Sequence, residues 1–221
     1  MLRRLLLSGA LLLGAITPLL LPTAAHAAGG DRFSEPLTTA ISDLPVAAEV
    51  RTGYERDKFH TWIDADGDGC DTRKEVLIQE ADDPVTVGSG CTLTGGRWYS
   101  YYDGESWTNA SDIDIDHVVP LAEVWDSGAR SWSAATREAY ANDLGDTRTL
   151  VGVTDNLNQS KGDQDIAEWT PPQQKCRYLR EWVAVKHRWG LTVDSAEKTA
   201  MQDLYADEDC ADSTITVTLA R

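Results

Sequence analysis

The sequence predicts an α+β domain, on two kinds of observation. Short alternating or aromatic runs, at Arg97 to Tyr102, Ile113 to Val118 and Leu150 to Val153, read as strands. Stretches with apolar residues three and four apart, above all Tyr178 to Trp189, read as amphipathic helices. Charged residues make up 25% and hydrophobic ones 42% of the 221 residues, which excludes a disordered or collagen-like chain and suits one domain.

Residues 1–27 read as a secretory signal peptide and stand outside the fold. Met1-Leu-Arg-Arg is a positive start, Leu5 to Leu21 is almost wholly apolar, and Ala25-His26-Ala27 is a small-x-small cleavage site. Pro18 and Pro22 break the segment, which speaks against a membrane anchor. The expected location is extracellular, with no membrane association after cleavage. Residues 28–221 then form a single domain, with a loose start at 28–35 and a core over about 50–210.

Within that domain, residues 36–63 carry helix-like spacing, with Leu37, Ile41 and Leu44 on one side and Tyr54, Phe59 and Trp62 later. An acidic glycine loop follows at 64–71, and Val76-Leu77-Ile78 after it looks more strand-like than helical. The strand at Arg97 to Tyr102 ends in an Asp103-Gly104 turn. Ser133 to Ala141 reads as a short helix. Gly190 ends the helix that holds Tyr178 to Trp189, and Asp194 with Glu197 forms a capping-box start for a last one. The eight tryptophans mostly belong to a core by this pattern.

Four cysteines, an even count in an exported chain, favour disulfides over a thiol catalyst. Three pairings are open. The sequential one, Cys70–Cys91 with Cys176–Cys210, closes two moderate loops and is preferred.

With 20 basic and 36 acidic residues the formal charge is −16, which excludes a broad basic coat for nucleic acid or anionic lipid. A local basic groove or a metal-bridged contact remains compatible. Lys175 to Arg188 sets five cations against the single Glu181, so Arg177, Arg180, Lys186 and Arg188 are candidate phosphate contacts. A solvated helix face that balances acidic neighbours is the competing reading. His187 reads as a core-edge histidine rather than a substrate contact.

The chemistry concentrates in two pieces. The first is Asp112-Ile-Asp-Ile-Asp116-His117-Val-Val-Pro120-Leu-Ala-Glu123, and the second is Asn158-Gln-Ser-Lys161-Gly162-Asp163, just after the Leu150 to Val153 strand. Adjacent side chains on a strand point to opposite faces, so Asp116 and His117 can serve one site only at a bend or strand end, which Pro120 helps supply. A carboxylate and an amide oxygen are hard ligands suited to Mg²⁺. A histidine that is not a ligand can then act as a base near neutral pH.

The pattern D-H-x-x-P…N-x-x-K-G resembles the HNH nucleases, which share a ββα-metal finger. The longer string D-I-D-H-V-V-P-L-A-E…N-Q-S-K-G-D…W-T-P-P resembles the secreted actinobacterial branch of that family. The resemblance implies a ββα-metal finger embedded in helices, with a disulfide-tied β segment before it. It also implies His117 as general base, Asp116 and Asn158 as ligands of one divalent cation (Mg²⁺, with Mn²⁺ an alternative), and Lys161 as a residue steadying the phosphate or the site. One departure stands out. Where many members carry a middle asparagine on the second strand, this chain has Arg148-Thr149-Leu150, and Asn142 lies further upstream.

Asp64-Ala-Asp66-Gly-Asp68-Gly69-Cys-Asp-Thr-Arg-Lys-Glu75 matches calcium-loop spacing at Asp64, Asp66, Asp68, Gly69 and Glu75. Asp71 stands where an apolar residue is usual, so a disulfide-tied acidic turn competes with a structural Ca²⁺ site. The function expected is a secreted, metal-dependent endonuclease hydrolysing phosphodiester bonds of DNA, with RNA as a second substrate class and no obligate protein partner. The alternative is a non-enzymatic extracellular calcium-binding or interaction module.

Overall fold

The computed structural model describes residues 31–220, and the signal peptide expected over 1–27 lies outside them. β1 (Arg32–Pro36) leads into α1 (Leu37–Asp43), which buries Leu37, Ala40 and Ile41. The helix-like spacing read over 36–63 holds only for this first part. Beyond Pro45 the chain is irregular apart from a 3-10 turn at Arg56–Lys58, and Tyr54, Phe59 and Trp62 reach the cores from loops.

α2 (Thr72–Glu80) corrects the strand expected at Val76-Leu77-Ile78. A short apolar run does not distinguish helix from strand. Here the Asp71 carboxylate accepts the Lys74 N–H at 3.0 Å and starts a helix that buries Val76 and Leu77. β2 (Asp83–Val87), β3 (Leu93–Ser100) and β4 (Glu105–Trp107) follow as an antiparallel meander, with the last turn at Tyr101 to Gly104.

β5 (Ile113–His117) is followed by α3 (Leu121–Asp126) and by α4 (Ala134–Ala141), whose N-cap Ser133 hydroxyl accepts the Thr136 N–H. β6 (Leu150–Thr154) then pairs antiparallel with β5, setting Asp116 opposite Val151 and His117 opposite Leu150. α5 (Asp155–Lys161) leaves β6 directly. α6 (Lys175–Trp189) ends at Gly190, whose φ of 60° is a left-handed cap that glycine adopts at no steric cost. α7 (Ser195–Asp207) starts where expected, with Asp194 accepting the Glu197 N–H at 2.7 Å. β7 (Thr214–Thr218) returns to pair with β1, so residues 32–35 are not the loose end expected of them.

The β5–β6 ribbon is buried on both faces. Ile113, Ile115 and Leu150 pack with Val76, Leu77 and Trp98 in a smaller core. Val151 and Val153 join the larger core, to which α6 contributes Tyr178, Leu179, Trp182, Val183 and Trp189. Double-sided burial explains the unbroken apolar character of β6. Each large side chain buried this way contributes roughly 1.5–3 kcal/mol.

Polar groups tie the layers together. The buried Asp143 carboxylate accepts from Arg188, Trp189 and Thr149, which fastens α6 to the α4–β6 connection. The disulfides are Cys70–Cys91 and Cys176–Cys210, the sequential pairing. Each removes loop freedom from the unfolded chain, a gain of about 2–4 kcal/mol. Among the described residues no helix is long and apolar enough to cross a membrane.

Candidate active site

Strand alternation sends Asp114 and Asp116 to one face of the ribbon, and Ile115 and His117 to the other. The ribbon ends at His117, and Pro120 turns the chain into α3. Asp116 and His117 therefore both line a cleft of about 130 Å³ whose walls include Arg56, Leu121, Asn158 and Asp163. The structure thus brings Asp116, His117 and Asn158 to one place from β5 and α5.

His117 is 5% exposed, and its Nε2 lies 2.9 Å from the Ala141 carbonyl oxygen. A carbonyl only accepts, so Nε2 carries the proton and the neutral ring keeps its lone pair on Nδ1. Tyr140 stacks on one side at 6.0 Å and Trp62 leans over the ring at 5.7 Å. Burial lowers the His117 pKa to about 4; the positive charges of Arg56 and Lys161 add to this, while the Ala141 hydrogen bond opposes it. The imidazole is therefore neutral at physiological pH.

Asp116 is buried. Its Oδ2 accepts from Tyr102 and from Lys161, both at 2.5 Å. Lys161 is fully buried and uses all three donors, on Asp116 and on the carbonyls of His117 and Val118 at 2.9 Å each. Burial pushes the Asp116 carboxyl up and the Lys161 amine down, and the contact between them opposes both shifts. Three acceptors around Nζ satisfy the charged ammonium. Lys161 thus lies out of reach of a substrate phosphate, and of the two parts expected of it only the steadying of the site is open to it.

Asn158 lies on the second turn of α5, and its Nδ2 donates to Asp114 Oδ2 at 3.2 Å. With the amide nitrogen engaged, Oδ1 is the atom left to face a cation.

Two participants, Arg56 and the Ala141 carbonyl, had no sequence signal. Arg56 sits on the 3-10 turn and supplies the cleft with a positive charge. The Ala141 carbonyl fixes the histidine. Next to it, Asn142 accepts from the Ile63 N–H and the Thr72 hydroxyl, and donates to the carbonyls of His60 and Glu138. Asn142 therefore ties the Trp62 loop to the end of α4 without touching His117. The same loop holds Trp62 at a φ of 61°, a rare conformation for an aromatic residue.

The four-cation face expected on α6 does not form. Lys186 is fully buried between Glu123 and Glu197, and Arg188 is 8% exposed and paired with Asp143. Arg180 donates to the carbonyls of Ser213 and Thr214 and pins β7. Arg177 pairs with Glu181 and lies 3.9 Å over the Tyr101 ring. The sequence shows the charges but not the distant carboxylates that pull two of them inward. His187 stacks on Phe33 at 3.7 Å and bonds the Ala40 carbonyl, a core-edge position.

In the 64–75 loop, Asp64 accepts from the Gly67 and Gly69 N–H groups, and Asp68 from the Cys70 N–H. Oxygens of Asp64, Asp66 and Asp68 lie within 4.8 Å of one another. The Glu75 carboxyl is raised by burial and by the negative charges of Asp68, Asp66 and Asp64.

A buried, neutral imidazole beside a carboxylate and an amide oxygen, in a disulfide-bonded α+β domain, has the makings of a hydrolase. The family model for the C-terminal domain of GmrSD restriction endonucleases matches residues 74–204, and the chain belongs to that family. The family is one of nucleases, and nucleic acid is the substrate class it implies. The matched span holds Asp116, His117, Asn158 and Lys161 and leaves out Arg56 and the 64–73 segment. An uncharacterized secreted protein of Arthroderma benhamiae is 43% identical over 195 residues, covering 87% of this chain and 94% of the relative. The protein is secreted, as this relative is. No solved structure matches the chain.

Proposed function

We propose that the protein is a secreted, metal-dependent endonuclease of the HNH kind, hydrolysing DNA and as a second substrate RNA, with His117 as general base. The observation that carries this reading is the placement of His117. Its Nε2–H is held by the Ala141 carbonyl, which leaves the lone pair on Nδ1, and His117 lines one cleft with Asp116 and Asn158. Residues 113–161, an antiparallel strand pair followed at once by a helix, agree with a ββα finger.

The donor set fits a hard divalent cation, Mg²⁺ or Mn²⁺. Asp116 and Asn158 would hold it, and when bound it would stabilise charge on the leaving 3′ oxygen. His117 takes a proton from the attacking water. Lys161 and Tyr102 fix the Asp116 carboxylate, and Asp114 fixes the Asn158 amide. Arg56 attracts the phosphate into a cleft that Asp163 would otherwise make repulsive. Plasmid incubated with the mature protein and Mg²⁺ should be cut, and a chelator should stop the cutting. Intact plasmid throughout would instead favour the non-enzymatic module.

Arg56→Ala should weaken DNA binding and flatten the dependence of log K on log salt by about one unit. Arg180→Ala, whose guanidinium is engaged with β7, should leave that slope nearly unchanged; equal slopes for both variants and wild type would reject the role given to Arg56.

The 64–75 loop is proposed as a structural calcium site, because Asp68 lies within 4.8 Å of Asp64 and Asp66 on one side and of Glu75 on the other. Calcium should raise the melting temperature, and Asp66→Asn should remove most of the rise attributable to this loop.

A further inference from the structure

A hydrogen bond on Nε2 does not by itself aim the other ring nitrogen of His117. Nε2 lies close to the Cβ–Cγ axis, so turning about that bond swings Nδ1 while barely moving the Nε2–H, and this torsion is intrinsically broad. The Ala141 carbonyl holds the Nε2–H at 2.9 Å. What sets the plane of the ring is the packing on its faces. Two aromatic rings supply it: Tyr140, at 6.0 Å and an interplanar angle of 24°, and Trp62, at 5.7 Å and 34°.

Tyr140 is a core residue of α4, fully buried, with its hydroxyl on the Val119 carbonyl. Trp62 is different. It comes from an irregular loop, stays partly exposed and holds a φ of 61°. A bulky residue in the left-handed region is costly, persists only where its surroundings over-determine it, and is concentrated at functional positions.

The surroundings do so here. The Asn142 amide brackets Trp62: Nδ2 donates to the His60 carbonyl at 2.6 Å, and Oδ1 accepts the Ile63 N–H at 3.1 Å. Its second donor goes to the Glu138 carbonyl and its second lone pair to the Thr72 hydroxyl, so the amide is fully used. Thr72 clamps the same loop again, its N–H and hydroxyl reaching the Ile63 carbonyl at 2.9 and 3.0 Å. Asn142 directly follows Ala141. The hydrogen bond on the imidazole and the loop that carries the indole are therefore held from two adjacent residues at the end of α4. Trp62 also touches the smaller core, but that contact alone calls for neither a left-handed backbone nor this clamp.

We propose that Trp62 is a positioning residue, whose indole fixes the plane of the His117 imidazole and with it the direction of the Nδ1 lone pair. This rests on His117 acting as the base, and adds what orients that base. Trp62 is not among the described residues that line the catalytic cleft, so it acts through His117 rather than on the substrate.

The test compares Trp62→Leu with Trp62→Phe in the mature protein, with Mg²⁺ and a DNA oligonucleotide, at a temperature where thermal melts show each variant folded. Trp62→Leu should lower kcat about 10–100-fold, the loss expected from a misaimed base, with KM unchanged. Trp62→Phe keeps an aromatic face and should recover most of that loss. Should Trp62→Leu fail to fold, Trp62→Gly replaces it with the same expectation, because glycine takes a φ of 61° at no steric cost. A second readout needs no activity. Overhauser contacts run from the His117 ring protons, identified by their loss in His117→Ala, to Tyr140. They should show one ring orientation in the wild type and in Trp62→Phe, and an average of several in Trp62→Leu. A folded Trp62→Leu with the wild-type kcat and a single ring orientation would overturn the proposal, as would equal kcat losses in the leucine and phenylalanine variants. A rise in KM alone would make Trp62 a substrate contact and overturn it too. A His117→Ala protein that cleaves normally would instead remove His117 as the base, and the ring orientation would then decide on Trp62.

Discussion

Replacing His117 by alanine should slow plasmid cleavage by about 10²–10⁴-fold, the range expected on loss of a positioned general base. The imidazole is the one group in the cleft that is neutral, hydrogen-bonded through a single nitrogen and provided with a lone pair on the other. The substitution also removes a ring packed between Trp62 and Tyr140, so a fall in stability of about 1–3 kcal/mol should accompany it. The two effects separate by experiment. Near-ultraviolet circular dichroism and a thermal melt report the fold, and supercoiled-plasmid nicking at a temperature where both proteins are folded reports the chemistry. A folded variant that nicks at the wild-type rate would remove His117 from the mechanism. The pH dependence follows from the same surroundings. The base works deprotonated, and the folded pKa lies below the usual histidine value, near 4. The contribution of His117 to the rate should therefore persist through mildly acidic pH and disappear only as pH falls through about 4.

Much of the site was legible because its residues come in two short pieces joined by elements with local signals. The Asp116-His117 end of β5, the strand at 150–154 and the helix carrying Asn158 and Lys161 follow one another in the structure as their spacing implies. The caps of α4 and α7 were readable for the same reason, since Ser133 and Asp194 act on N–H groups three residues away. The β1–β7 pairing was not readable. It joins the two ends of the described chain, and neither Arg32–Pro36 nor Thr214–Thr218 has a sequence neighbour that predicts its partner. α2 was misjudged because Val76-Leu77-Ile78 is too short to show a period, although the Asp71 cap was there to be read.

Charge was the least legible property. A run of cations on an amphipathic helix reads as a solvated face, because buried lysine and arginine are rare unless paired. In this protein they are paired, by carboxylates far away in sequence. Glu123 on α3 and Glu197 on α7 enclose Lys186, and Asp143 after α4 captures Arg188. The positive charge that does line the cleft, Arg56, stands alone in an irregular stretch with no motif around it. Composition therefore reported correctly that the surface is acidic overall, yet could not say which few cations stay outside.

Lys161→Met is expected to have the largest effect on stability. The ammonium is fully buried, and its three hydrogen bonds reach Asp116 and two consecutive carbonyls at the end of β5. Methionine fills a similar volume but leaves the Asp116 charge buried with only the Tyr102 hydroxyl on that oxygen, and the carbonyls of His117 and Val118 lose this donor. Breaking one side of a buried pair costs about 3–5 kcal/mol. For a domain of this size that corresponds to a melting temperature lower by roughly 6–20 °C. Activity should fall with it, since the same ammonium orients Asp116 and fixes the backbone that carries His117. The pair can be tested as a pair: Asp116→Asn added to Lys161→Met removes the stranded charge, so the double variant should be less unstable than the sum of the two single losses. pH offers a second check with a fixed sign. In Lys161→Met, burial still raises the folded pKa of Asp116 and the opposing ammonium is gone, so the folded state binds the proton more tightly than the unfolded chain. The deficit relative to wild type should therefore shrink as pH falls through that raised pKa and stand in full above it. A deficit that ignores pH, or additive losses in the double variant, would mean that Lys161 supports the fold through its aliphatic stem and carbonyl bonds alone, and that Asp116 owes its placement to Tyr102.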